Sequence, residues 1–134
     1  MDYVVRVLLC VHGFGLSKQG LSYIKNPRNE VFESLLKNEG LLGPGLDIAV
    51  PFLGIAYLSI GFLNLLAGMA FGEKEANYIL IGSGLVFHIG MATVRSTLCT
   101  KTYDLYKPGM IRKTNTMQYG IGMLCAVIGV INCF

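Results

Sequence analysis

Long runs of apolar residues, separated by short polar segments, dominate the hydrophobic pattern of this chain. The longest run extends from Ile48 to Gly72 and contains no charged residue between Asp47 and Glu73. At about 1.5 Å of rise per residue, it would form roughly 37 Å of α-helix, whereas the hydrocarbon core of a bilayer is about 30 Å thick. A core helix of a soluble protein seldom runs so far without a charge, so this run predicts a transmembrane helix.

The other apolar runs also have the length of membrane spans, although the first is the least apolar. Together with the central run they predict four transmembrane helices, at about residues 3–24, 48–71, 76–98 and 114–134. The pattern therefore predicts an all-α protein, in which one membrane domain, residues 1–134, is a bundle of four transmembrane helices.

The segment between the first two predicted spans has a different pattern. Asn26-Pro27 is a typical helix start, with Asn as the N-cap and Pro in the first helical position. From there, residues 27–39 carry their apolar side chains on one face: Val31, Phe32, Leu35 and Leu36. This pattern predicts a short amphipathic helix that lies in the headgroup plane. A docking helix for a partner protein is the alternative interpretation.

Small residues recur at heptad spacing in the central run. Gly54, Gly61 and Gly68 are each seven residues apart, and Tyr57 and Asn64 fall on the same helix face. Small residues allow neighbouring backbones to approach closely, and this approach drives helix association in lipid. The stripe predicts a helix-packing surface, directed either to another helix of this bundle or to another subunit.

Composition and charge agree with a membrane bundle. Hydrophobic residues make up 53% of the chain and charged residues 14%, against about 25% charged residues in soluble domains. The net charge of +3 is scattered and does not indicate a nucleic-acid partner. Candidate contacts to lipid headgroups are the basic residues near the ends of predicted spans: Lys18, Arg95, Arg112 and Lys113.

The basic residues also predict the orientation. Four spans place both termini on one side of the membrane, together with Arg6 and Lys74, and leave the other nine of the 11 basic residues on the opposite side. By the positive-inside rule, that opposite side faces the cytoplasm, or the matrix or stroma of an organelle. Both termini are expected to face away from it, in a mitochondrial inner, thylakoid or endoplasmic reticulum membrane.

Two histidines are the main candidates for chemistry. His12 and His88 lie about 14 and 18 Å along two predicted parallel helices, and therefore at similar depths near the midplane. Together they could ligate a haem iron from both faces, or one could ligate the magnesium of a chlorophyll or bind a quinone. In the structural interpretation each is neutral and bonds to a neighbouring helix, with Asn64, Tyr57 or a serine as partner. Gly84, four residues before His88, is a further packing position.

No sequence motif indicates catalysis or a metal site. The four cysteines form no C-x-x-C pair, and the predicted spans contain no carboxylate. We find no Ser-His-Asp set and no phosphate-binding loop in the sequence. The sequence therefore predicts a protein that is not an enzyme and has no metal-binding residues.

The layout resembles two families of small four-helix membrane proteins. Residues Arg6 to Pro27, RVLLCVHGFGLSKQGLSYIKNP, resemble the first helix of DoxX-like proteins, in which an Arg opens a Gly-rich apolar stretch that leads to a Pro-containing connection. The long connection after the first helix and residues Leu85 to Ser96, LVFHIGMATVRS, resemble the ergosterol-biosynthesis scaffold family of the endoplasmic reticulum. Both resemblances concern the layout, and neither implies particular functional residues.

Three functions are compatible with these features. The first expectation is a non-catalytic accessory, assembly or scaffolding subunit of a larger respiratory, photosynthetic or biosynthetic membrane complex, with membrane lipids and other integral membrane subunits as partners. The alternative is a protein that binds haem, chlorophyll, quinone or lipid through His12 or His88, with bound lipid as the more expected ligand. The third is a small transporter, for which few polar lining residues are present.

Overall fold

Helices make up almost all of the described chain. The structure is a computed structural model that describes residues 2–28, 44–97 and 107–133, and within these ranges it contains no strand. Helix α1 is Asp2–Lys25, α2 is Pro44–Ala70 and α4 is Pro108–Cys133. Helix α3, Glu73–Thr97, changes from an α-helix to a π-helix at Ser83–Ile89 and returns to an α-helix at Gly90–Val94. The prediction of an all-α protein is confirmed for these residues.

Three of the helices are long and apolar enough to cross a membrane: Asp47–Ala70 in α2, Glu73–Thr97 in α3 and Gly109–Cys133 in α4. Helix α1 has sufficient length but is more polar, since Arg6, His12 and Lys18 lie along it. Its role as a fourth span stays a prediction. The predicted amphipathic helix, residues 27–39, lies almost wholly outside the described residues, and it stays a prediction too.

Helices α1 and α2 form an antiparallel hairpin in which glycines face glycines. A Cβ atom added to Gly13 would lie 2.6 Å from the carbonyl oxygen of Gly61, and one added to Gly20 would lie 2.6 Å from that of Gly54. Such distances are well inside van der Waals contact, so the two backbones touch directly. Gly68, the third residue of the predicted stripe, faces Cys10 and the Arg6 carbonyl in the same interface.

Arginines stabilise both ends of this first hairpin. The Arg6 guanidinium donates hydrogen bonds to the carbonyl oxygens of Gly68, at 3.2 Å, and Phe71, at 3.0 Å. These carbonyls belong to the last turn of α2 and the residue after it, where intrahelical donors are missing. At the other end, Arg28 donates to both carboxylate oxygens of Asp47, at 3.1 and 3.2 Å.

Helices α3 and α4 form a second antiparallel hairpin with the same type of contact. A Cβ atom on Gly84 would lie 2.5 Å from the Gly122 carbonyl oxygen, and one on Gly122 would lie 2.8 Å from that of Gly84. Farther along, Gly129 lies against Asn77 and Ile81. The molecule is therefore built from two glycine-packed hairpins, which we call the α1–α2 hairpin and the α3–α4 hairpin.

Side chains fill the space between the two hairpins. One buried cluster draws on all four helices: Val5, Leu9, Ala67, Ala76, Leu80 and Cys125. In a second cluster, Tyr57 makes edge-to-face contacts with Tyr23 and Phe87, with ring centroids 5.3 and 4.7 Å apart. Aromatic pairs favour this geometry. Contact between the hairpins thus depends on side chains, whereas contact within each hairpin also includes direct backbone approach.

Candidate functional site

The two predicted candidate histidines meet between the hairpins. His12 of α1 and His88 of α3 bring their Nε2 atoms to 2.5 Å, with ring centroids 4.7 Å apart and ring planes inclined by 43°. His88 is almost fully buried. The two rings share a short, direct hydrogen bond that links the α1–α2 hairpin to the α3–α4 hairpin.

Gln118 of α4 determines which ring nitrogen carries a proton. Its Oε1 atom lies 2.5 Å from His88 Nδ1. A carbonyl oxygen only accepts hydrogen bonds, so His88 Nδ1 is the donor and, in a neutral ring, His88 Nε2 is an acceptor. His12 Nε2 then donates to it. This assignment follows from the hydrogen-bond network, and it leaves His12 Nδ1 as a buried acceptor that has no partner among the described residues.

A second polar pair lies beside the histidines. Asn64 of α2, whose side chain is 0% exposed, donates through Nδ2 to Ser83 Oγ at 3.0 Å, and Ser83 Oγ donates to Asn64 Oδ1 at 3.1 Å. Asn64 Nδ2 also donates to the Ile60 carbonyl at 2.7 Å. We call these five residues the polar belt: His12, Asn64, Ser83, His88 and Gln118.

The π-helical part of α3 carries two members of the belt. Ser83–Ile89 holds both Ser83 and His88, as well as Phe87, whose ring meets the His88 ring at a centroid distance of 5.3 Å. A π-turn contains more residues than an α-turn, so it changes the direction in which side chains point, and such segments recur at functional sites. Here it allows Ser83 to meet α2 while His88 meets α1 and α4.

The histidine geometry does not fit ligation of one haem by both rings. Metal–imidazole bonds of about 2 Å would place the two Nε2 atoms roughly 4 Å apart on opposite faces of a porphyrin. Instead, the two atoms are 2.5 Å apart and bond to each other. Each Nε2 atom is therefore engaged, and the arrangement corresponds to the structural interpretation. The partners, however, are the other histidine and Gln118. Among the described residues, no group of three or more His, Cys, Asp and Glu side chains could hold a metal ion.

The remaining predicted positions are placed as follows. Gly54, Gly61 and Gly68 face α1, and Gly84 faces α4. Tyr57 lies in the aromatic cluster instead of at a histidine. Among the predicted headgroup contacts, Arg95 is half-buried and donates to Asn115 Oδ1 at 3.1 Å, while the other three are exposed: Lys18, Arg112 and Lys113.

Sequence reasoning missed Ser83 and Gln118. A signal for Gln118 is present, because small and polar residues recur along α4 at steps of three and four: Asn115, Gln118, Gly122, Cys125, Gly129 and Asn132. This spacing defines one helix face. The spacing of small and polar residues indicates Ser83 less clearly. The π-helix begins at that residue, so α-helical spacing no longer shows which residues of α3 share a face.

An apolar groove opens between the hairpins, and Ser83 is one of the residues that line it. It has a volume of about 590 Å³, and α2 contributes Ile60 and Leu63 while α3 contributes residues from Tyr78 to Val94. At about 1.5 Å per residue, this part of α3 is roughly 24 Å long. Phe87 lines the groove, and its ring contacts the His88 ring.

No protein-family model, no curated protein and no solved structure matches this chain. The interpretation of the polar belt and the groove therefore rests on their geometry and chemistry.

Proposed function

We propose that this chain is an integral membrane protein that serves as a non-catalytic accessory or scaffolding subunit of a larger membrane assembly. Helix α1 is its fourth span, paired with α2 through their facing glycines. Both termini lie on one side, opposite the more basic side, which faces the cytoplasm, matrix or stroma. The proposal includes no reaction carried out by this chain.

The observation that supports this proposal most is the division of polar and apolar side chains. Within the described helices, the polar belt is engaged in hydrogen bonds between helices, so its groups stabilise the bundle instead of facing a substrate. Large apolar side chains cover the exterior of all four helices; examples are Phe14, Phe52, Val86 and Ile131, which are 56–78% exposed. Such a surface suits contact with lipid tails and with the helices of other membrane subunits.

Purification of the tagged full-length protein from its native membrane in a mild detergent tests this proposal. On a native gel the protein should migrate in an assembly much larger than 14.6 kDa, with partners that mass spectrometry identifies. A tagged, unrelated four-helix membrane protein from the same membrane is the matched control, because it reports non-specific association. Migration as a small species without specific partners would contradict the subunit proposal.

The groove favours a second candidate function, which is binding of a lipid or quinone with a long hydrocarbon chain. Its volume of about 590 Å³ lies within the range of ligand pockets, and its wall includes Ser83. Gly82→Leu would fill it, because nothing lies within 4 Å of a Cβ atom at Gly82. If the function is correct, this variant loses a co-purifying lipid or quinone that mass spectrometry detects. Gly120→Leu, equally open but outside the groove, should retain it.

A further inference from the structure

The four arginines of the chain differ in what their guanidinium groups contact. Arg6 and Arg95 donate to backbone carbonyls and to Asn115, respectively, and Arg28 forms an ion pair with Asp47. Arg112, in contrast, is exposed and has no side-chain partner among the described residues. Its neighbour Lys113 is exposed as well, so two adjacent cations near the start of α4 have no counter-charge in the described part of the protein.

These two cations line a shallow surface cavity of about 570 Å³, widely open to the outside, on one face of α4. The lining residues recur at steps of three, four, seven and eight from the first, which is the spacing of a single helix face: Gly109, Arg112, Lys113, Thr116 and Met117. At the start of this face, Gly109 leaves open space, since nothing lies within 4 Å of a Cβ atom there. At its other end lies the apolar side chain of Met117. The cavity is therefore cationic toward the start of α4 and apolar farther along the helix.

We propose that this face of α4 binds the phosphate group of an anionic phospholipid, with Arg112 and Lys113 as the contacts. A guanidinium matches phosphate oxygens with paired hydrogen bonds, and an ammonium adds a point charge. The span Gly109–Cys133 begins at this cavity, so its cations lie where headgroups lie in a bilayer. Met117 then contacts the start of the acyl chains. A free phosphate ion would satisfy the cations but would have no use for that apolar end.

This inference rests on membrane insertion, which the proposed function includes, but not on the subunit role. Its test uses the purified full-length protein in a neutral detergent, so it does not depend on any partner. Loss of partners on a native gel and loss of lipid binding are thus separate outcomes. Since Arg112 and Lys113 are exposed, replacing them should leave the fold intact, and circular dichroism with size-exclusion chromatography checks this.

The experiment titrates phosphatidylglycerol and, separately, phosphatidylcholine into the protein and counts bound lipids by native mass spectrometry. The double variant R112Q/K113Q should weaken phosphatidylglycerol binding by roughly tenfold or more, because each basic residue near an anionic headgroup contributes appreciably to affinity. The matched control is K25Q/K74Q, which removes the same charge from exposed positions on α1 and α3 that are not among the predicted headgroup contacts. The control should change the affinity for phosphatidylglycerol by less than about twofold. This is well below the loss expected when basic residues close to the bound headgroup are removed.

Three outcomes would overturn the proposal. Equal losses in the two double variants would mean that diffuse surface charge attracts the lipid. Equal binding of phosphatidylcholine and phosphatidylglycerol to the unmodified protein would mean that the cations do not select the headgroup. Tight binding of inorganic phosphate at the same face, with displacement of phosphatidylglycerol, would assign the cavity to a soluble phosphate instead of a lipid.

Discussion

The contacts within each hairpin and the contacts between the hairpins differ in which parts of the chain touch. Within the α1–α2 hairpin, Gly13 and Gly61 bring backbones together so closely that even a methyl group would not fit. Between the hairpins, the links are hydrogen bonds and aromatic contacts, among them the His12–His88 bond. In lipid, apolar burial gives helices little reason to associate, so close packing and hydrogen bonds must supply the specificity. In this protein the backbones approach closely within each hairpin, whereas side chains make the contacts between the hairpins.

The largest effect is expected from a glycine within a hairpin. In Gly61→Val, the new Cβ atom would lie 2.5 Å from Ser17 Oγ and 2.7 Å from the Ser17 backbone nitrogen. Because backbone cannot move aside locally, we expect α1 and α2 to separate, with a loss of about 3 kcal/mol in the free energy of unfolding. Reversible unfolding in mixed detergent micelles, followed by circular dichroism, measures it. Gly15→Val, which meets open space, is the control and should lose little.

A smaller loss is expected at the centre of the polar belt. His88→Leu leaves both His12 Nε2 and Gln118 Oε1 without their partner, and buried groups of this kind cost about 1–3 kcal/mol when they are left unsatisfied. The same unfolding assay should therefore show a loss of about 2 kcal/mol. Thr93→Val, at an exposed position of the same helix, is the control. A His88→Leu variant as stable as this control would argue against the belt as a link between hairpins.

The Asn64–Ser83 pair should show a measurable coupling of its own. The two residues exchange hydrogen bonds at 3.0 and 3.1 Å across the α2–α3 contact. Hydrogen bonds between transmembrane helices contribute about 0.6 kcal/mol on average and up to about 1.7 kcal/mol, so a double-mutant cycle with Asn64→Leu and Ser83→Ala should give a value in that range. Strict additivity of the two variants would show that the pair is not coupled.

The smallest change in the free energy of unfolding is expected at a glycine that faces the groove. This glycine can be compared with one that is packed against another helix. Gly82 and Gly84 are two residues apart in α3, yet Gly82 faces open space and Gly84 faces the Gly122 backbone. Gly82→Ala should stabilise the protein by up to about 1 kcal/mol, since Ala favours helix more than Gly does. Gly84→Ala should destabilise it by about 1–3 kcal/mol. Changes of the same sign at both positions would contradict the two different environments.

The sequence indicated part of this arrangement. The heptad stripe Gly54, Gly61 and Gly68 identifies a face of α2, but spacing alone does not say which helix that face meets. The matching residues were also visible, since Gly13 and Gly20 are seven residues apart in α1. Only the antiparallel pairing seen in the structure brings the two lines together.

The positions of helix starts were harder to predict than the helices themselves. The sequence predicts helix starts at about residues 48 and 114, whereas the structure begins α2 at Pro44 and α4 at Pro108, residues of a type that also occurs in turns. A proline has no backbone N–H to offer, and the first turn of a helix needs none, so the same residue is compatible with both environments. The sequence signal at these two positions was therefore ambiguous.

Partners in the polar belt could be predicted only in part. The depths of His12 and His88 follow from their helix positions and allow the two rings to meet. That they bond directly, and that Gln118 and not Tyr57 is the next partner, depends on the rotation of each helix about its axis. The π-helix at Ser83–Ile89 changes that rotation within α3, and the spacing of apolar residues contains no clear signal for it.

The most direct test of the two-hairpin account is the His12–His88 bond itself. In protein with ¹⁵N-labelled histidine in micelles, nuclear magnetic resonance can detect a scalar coupling between two nitrogens that share a hydrogen bond. We expect a coupling between Nε2 of His12 and Nε2 of His88, with His88 protonated at Nδ1 toward Gln118. Two histidine rings without mutual coupling, in protein that is folded by circular dichroism, would contradict the claim that the polar belt joins the hairpins.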